Sequence, residues 1–167
     1  LIIKILEMIS VLASRPALAE TFTGYLTVPA ALPALLARPW TLLTYMFTHQ
    51  SFIHLLFNML WLWWFGKIFL TYLDQRKMVA VYFMGGIAGG LLYILIFNIF
   101  PAFAGTVNVS SALGASASVM ALVITTAIYI PEMEMYLLFF GRIKLKYLAL
   151  ATFFITSIFD FSVNTGG

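Results

Sequence analysis

His54 and Asn58, in the stretch FIHLLFN, stand four residues apart in an otherwise apolar run. On a helix that spacing stacks them on one face, one turn apart. An imidazole and a carboxamide are costly in hydrocarbon and turn toward a bundle interior. A second polar group lies far along the chain, in LGASASVMAL at residues 113–122. There Ser116 and Ser118 follow Gly114 at the start of another apolar run. A serine hydroxyl becomes a useful nucleophile only beside a base. Hydroxyl, imidazole and carboxamide together are the groups of acyl transfer: an attacking oxygen and donors for an oxyanion. By residue type alone Ser116 equally fits a packing serine at a helix contact. The His54–Asn58 pair equally fits a proton or ion pathway. Such pathways carry Asp or Glu within the spans, and the single intramembrane candidate is Asp160, near the outer end of the last apolar run.

The elements that must position these groups are membrane helices. The chain is 63% hydrophobic and 9% charged, with a mean hydropathy of +1.02. Soluble domains carry roughly 25% charged residues, and a fold this size cannot cover itself with fewer than half of that. The expectation is an all-α membrane protein, one polytopic bundle over residues 1–167, with the lipid bilayer as its first partner. The absence of cysteine excludes disulfides and thiolate metal sites. No cofactor or metal is implied, nucleic acid is not an expected partner, and oligomeric state is left open.

A span needs about 20 mostly apolar residues. Residues 52–73, 78–100, 112–130 and 146 to about 163 meet that length or nearly so. The first is closed by Asp74-Gln75-Arg76-Lys77, the second by Pro101 and the third by Pro131. Residues 136–140 form a short apolar piece expected to lie along the interface. The opening LIIKILEMISVLA places Lys4, Glu7 and Val11 at helical spacing and is expected to be a partial or clipped first helix. Pro16, Gly24, Pro29, Pro33 and Pro39 break up the connection to Trp40, which is expected to rest on the bilayer surface. Positive residues stay cytoplasmic. Arg76 and Lys77 follow the first full span, Arg142, Lys144 and Lys146 follow the third, and residues 101–111 between the other two carry no charge. The starts of the 52–73 and 112–130 helices therefore meet the outer face together.

Depth then brings the polar groups to one level. Ser116 lies about five residues inside its span, roughly 7 Å at 1.5 Å per residue, and His54 lies a similar distance in. Gly114 and Ala115 are expected to leave room for a substrate backbone. His49, one to two turns further out, fits either an interfacial residue or part of the cavity wall, with the wall slightly preferred. Ser116 falls in the first turns of its helix, where backbone N–H groups lack intrahelical partners and the dipole is positive. Ser118 is about 200° around from it and is expected to pack or to bond a carbonyl one turn back. Gly85, Gly86, Gly89 and Gly90 form two overlapping small-xxx-small pairs, read as helix packing.

At these residues the chain resembles the rhomboid family of intramembrane serine proteases. WTLLTYMFTHQSFIHLLFNMLWLWWFG is similar to the second family helix and its lead-in, with the His-x-x-x-Asn motif at His54 and Asn58. LGASASVMAL is similar to the Gly-x-Ser motif opening the fourth helix, with Ser116 at the nucleophile position. YFMGGIAGGLLY resembles the third helix, and FGRIKLKYLAL the cytoplasmic connection and fifth helix of bacterial members. The resemblance runs from about residue 22 to the end. It implies a six-helix core open to the outside, of which four to five helices are present, in a bacterial inner membrane. It also implies a transmembrane protein substrate, attack by Ser116 on the scissile carbonyl, and an oxyanion held by the Ser116 N–H with the His54 and Asn58 side chains. The family's base, a histidine, lies on the sixth helix shortly after a Gly-Gly that Gly166-Gly167 resembles. Both histidines of this sequence, His49 and His54, precede Ser116. The expectation is a protease truncated before its last helix, or else a non-catalytic relative that binds transmembrane helices.

Overall fold

The computed structural model describes residues 17–49, 51–137 and 141–165. The opening segment with Lys4 and Glu7, Gln50 and the closing Gly166-Gly167 lie outside them, as do the side chains beyond residue 155, Asp160 included. Helix α1 (Ala17–Leu26) leads to strand β1 (Val28–Pro29), then to the short helices α2 (Leu32–Ala37) and α3 (Thr41–Thr44). A 3-10 turn, Tyr45–Phe47, precedes helix α4 (Phe52–Tyr72), and helix α5 (Gln75–Ile99) returns antiparallel to it. After a second 3-10 turn at Pro101–Phe103 come strand β2 (Ser111–Ala112) and helix α6 (Ser116–Tyr129). A hairpin of β3 (Glu134–Leu137) and β4 (Gly141–Lys144) leads into helix α7 (Leu145–Thr165).

Helices α4 and α5, of 21 and 25 residues, measure about 31 and 37 Å at 1.5 Å per residue. Both exceed the hydrocarbon thickness of about 30 Å. Phe52, Ile53, Leu60 and Trp63 on α4 and Met84, Leu91 and Leu95 on α5 are exposed. A continuous apolar surface of this kind needs lipid as its solvent. The Asp74 side chain caps α5 by accepting a 2.8 Å bond from the Lys77 N–H. The run from Gln75 to Lys77 therefore starts α5, where the sequence reading used it only to close the preceding span.

Helix α6 sits at the centre. Leu122 and Val123 are fully buried, in one cluster with Phe65 and Phe69 of α4 and Leu145 and Ala149 of α7. Its contact with α5 is made by small residues. A Cβ on Gly85 would collide with Ala121, and one on Gly89 would come 2.5 Å from the Ala117 Cβ. Gly86 backs onto Met46 and Ser118, and Gly90 onto Leu42 and Tyr45. The four glycines are thus packing residues, as the sequence pattern implied.

The third span is shorter than expected. Its helix begins at Ser116 and has 14 residues, about 21 Å long. The residues before it are extended, because Ser111 and Ala112 pair with Pro29 and Val28. The described lead-in from Ala17 to Trp40 is not a loop but carries α1, β1 and α2, with Phe22, Tyr25, Leu36 and Trp40 exposed. Val28 and Ala30 are 0% exposed, and Val28, Tyr45 and Met46 form a second core with Ile94 of α5. Two prolines mark boundaries there: Pro29 ends β1 and Pro33 opens α2, where a missing N–H is harmless. Asn98 Nδ2 donates to the Ala30 carbonyl at 2.8 Å and fastens this lead-in to α5.

Tyr136 and Leu137, the described part of the piece expected along the interface, belong to a strand, β3. It pairs Glu134 with Lys144 and Tyr136 with Arg142, leaving Tyr136 outside and Met135 against the core. The basic run is countered locally: Lys144 meets Glu132 at 2.5 Å, Lys146 meets the other Glu132 oxygen, and Arg142 lies 3.9 Å from Glu134.

Two outcomes follow from these contacts. Gly85→Leu is expected to cost about 1–3 kcal/mol by overpacking α5 against α6. Gly105→Ala, with nothing within 4 Å, is expected to be near neutral; equal unfolding midpoints in detergent would contradict this packing. Hydrogen bonds from the two lysines hold the Glu132 carboxyl at about 2, below its ordinary 4.5. A depressed acid stabilises the fold above its ordinary value and loses that contribution as pH falls through the depressed one. Glu132→Gln should therefore lower the melting temperature slightly at neutral pH, with the difference vanishing near pH 2.

Candidate active site

The site is built where the chain enters α6. Gly114 has φ +117°, a conformation that side chains bearing a Cβ rarely adopt. That geometry turns the extended backbone of β2 into the helix. The Gly114 N–H donates to the Tyr45 carbonyl at 2.9 Å. The Ala115 N–H donates to His49 Nε2 at 3.2 Å. One strand bond earlier, the Ala30 N–H reaches the Ser110 carbonyl at 3.0 Å.

The Tyr45–Phe47 turn and the residues after it bring His49 to this junction. Tyr45 is anchored from below, its hydroxyl donating to the Gly86 carbonyl at 2.5 Å. His49 is 3% exposed, and its Nε2 also lies 3.3 Å from Asn58 Nδ2. Its ring meets that of His54 edge to face, with centroids 5.5 Å apart. His49 stands in the connection ahead of α4. Burial, and secondarily the neighbouring His54, lower its pKa from 6.5 to about 4. It is a neutral acceptor at physiological pH.

His54 is half-buried. A Cβ on Gly114 would lie 3.1 Å from its Cε1 atom. Glycine at 114 is what lets the imidazole and the junction backbone approach this closely. Ala115 is 0% exposed and belongs to the main core. Gly114, Ala115 and His49 therefore shape the junction from inside. His49 also helps line an apolar cavity of about 390 Å³ between α4 and α5, together with Met46, Phe47, Leu55, Met59 and Tyr82. Asn58 is 5% exposed with its amide turned to His49.

Ser116, half-buried, is the first residue of α6, not a residue one turn inside it. No side chain caps this end, and the first bond back to Ala115 comes from the Val119 N–H. The N–H groups of residues 116–118 thus have no intrahelical acceptor and sit at the positive end of the dipole. Ser118 is fully buried and packs against Gly86, away from this opening. The hidden feature for a sequence reader is the acceptor role of His49. His49 and Asn58 are nine residues apart across a helix start, so no helical period connects them.

These features define a class: a polytopic helical membrane protein in which non-helical backbone delivers the serine-bearing end of a short central helix to two histidines and an asparagine. The family model for the rhomboid domain matches residues 36–165, and the chain belongs to the rhomboid family. It is similar to presenilin-associated rhomboid-like protein A, mitochondrial, of Danio rerio, with 28% identity over 120 residues. That match covers 72% of this chain and 29% of the relative, so the chain spans less than a third of the relative's length. No solved structure matches.

Gly114→Ala tests the junction. It combines a disfavoured φ with contact against His54 and is expected to destabilise the protein by about 1–3 kcal/mol. Thermal unfolding of the purified protein in detergent measures it, and an unchanged midpoint would show that the turn does not require glycine.

Proposed function

We propose that this chain carries the nucleophile and oxyanion-binding part of an intramembrane serine endopeptidase that cleaves transmembrane segments of membrane proteins near the outer face. Ser116 Oγ attacks the scissile carbonyl. Charge developing on the carbonyl oxygen is met by the Ser116 N–H at the open end of α6 and by donors from His54 and Asn58. The observation that carries this reading is the contact of His54 with Gly114, two residues before Ser116, beside a helix end whose N–H groups no side chain caps. Oxyanion donors act by being oriented before the charge appears, and buried, packed groups meet that condition.

Proton removal from Ser116 requires a base. His49 is committed through Nε2 to Ala115 and Asn58, and His54 is needed as a donor. In this reading the base is a histidine of the polypeptide outside these 167 residues. The active face lies opposite the ends that carry Arg76, Lys77 and the Arg142–Lys146 run, and the cellular setting is a bacterial inner membrane. A second reading is favoured by one observation: His49, buried beside the site, is engaged by the Ala115 N–H and Asn58. It makes the protein a non-catalytic family member that binds transmembrane helices.

Cleavage of a transmembrane reporter by the full-length protein in liposomes separates the two. The protease reading expects product from the wild type and a loss of at least about 10³-fold in Ser116→Ala. Turnover surviving in Ser116→Ala would remove Ser116 from the nucleophile position. Reporter binding without cleavage by the wild type would favour the helix-binding reading.

A further inference from the structure

His49 has no assigned step in the proposed chemistry, yet it is among the most buried polar residues described, at 3% exposure. Its Nε2 faces two donors from two different elements: the Ala115 N–H at 3.2 Å and Asn58 Nδ2 at 3.3 Å. An imidazole nitrogen that accepts a hydrogen bond cannot carry a proton, so the ring's hydrogen resides on Nδ1. Ala115 is fully buried, so without His49 its N–H would lose this partner where water is excluded.

We infer that His49 is a positioning residue: its neutral Nδ1–H imidazole ties the backbone just before Ser116 to the Asn58 amide, and so sets the oxyanion donors of α4 and α6 at one fixed separation. One hydrogen of the Asn58 amide is spent on His49, which aims the other. Around the ring, α4 presents His54 as the facing titratable group, α5 presents Tyr82 across the shared cavity, and the α6 end contributes the Ala115 backbone. A proton on Nε2 would point at two N–H donors and release both. Only the effect on cleavage rests on the protease reading; the tautomer and the two bonds do not.

The test uses the full-length protein in detergent with ¹⁵N-labelled histidine, the His49 signals being assigned by their loss in His49→Gln. The expected imidazole shifts place His49 in the Nδ1–H tautomer, unprotonated down to about pH 5, below the ordinary range of histidine. An Nε2–H tautomer, or protonation near pH 6.5, overturns the inference whether or not the protein is a protease. In the cleavage assay His49→Phe, which keeps a ring and loses the acceptor, is expected to lower kcat by about 10- to 100-fold with KM little changed. His49→Gln, whose Oε1 accepts without titrating, is expected to recover most of it. Equal rates for His49→Phe and wild type, or no recovery with Gln, contradict the role. Should His49→Phe not fold, His49→Gln and the wild-type spectra decide. Absence of cleavage by the wild type counts against the protease reading alone, and the spectra still judge His49.

Discussion

Backbone that leaves the helical state inside a bilayer has no water to bond with, so the protein itself must supply every partner. Residues 110–115 are held under that constraint. Ser110 through Ala112 pair with the β1 segment, Gly114 gives its N–H to the Tyr45 carbonyl, and Ala115 gives its N–H to His49. All of these partners come from the stretch between Val28 and His49. That stretch is therefore a built-in support for the start of α6. Its buried positions Val28, Tyr45 and Met46 hold it against α5.

The short central helix is a consequence of the same arrangement. At about 21 Å, α6 is shorter than the hydrocarbon thickness of about 30 Å, and non-helical backbone precedes it. The helix end presents uncapped N–H donors at the positive end of its dipole. Close packing holds the helix in place. The glycine face of α5 lets α6 approach until Gly85 and Gly89 meet Ala121 and Ala117. The polar groups then have little freedom: Asn58 is bound to His49, His49 to Ala115, and the His54 ring rests on Gly114.

Much of the fold is legible in the residues. The composition requires a membrane, and the apolar runs at 52–73 and 78–100 match α4 and α5 to within three residues at each end. The last run matches α7 within about two residues at each end. The glycine spacing announces a close helix contact, and the His-x-x-x-Asn and Gly-x-Ser stretches point to the family that the rhomboid-domain match establishes. Less legible was the stretch from 111 to 115, which is apolar enough to extend a helical run. The lead-in from Pro16 to Trp40 was equally opaque, because its prolines mark breaks without saying what packs across them.

The sequence by itself determined the solvent, the long spans and the residue types available for chemistry, since transfer free energy and helical period are local and additive along a chain. It also placed His54 and Asn58 on one face, because four residues on a helix leave no alternative. Only the tertiary structure decided that Ser116 begins its helix, that His49 takes the Ala115 N–H, and that the His54 ring stands where a Cβ on Gly114 would point. Those outcomes depend on contacts between segments sixty or more residues apart, where the partner of a buried donor is chosen by packing and no periodicity records the choice.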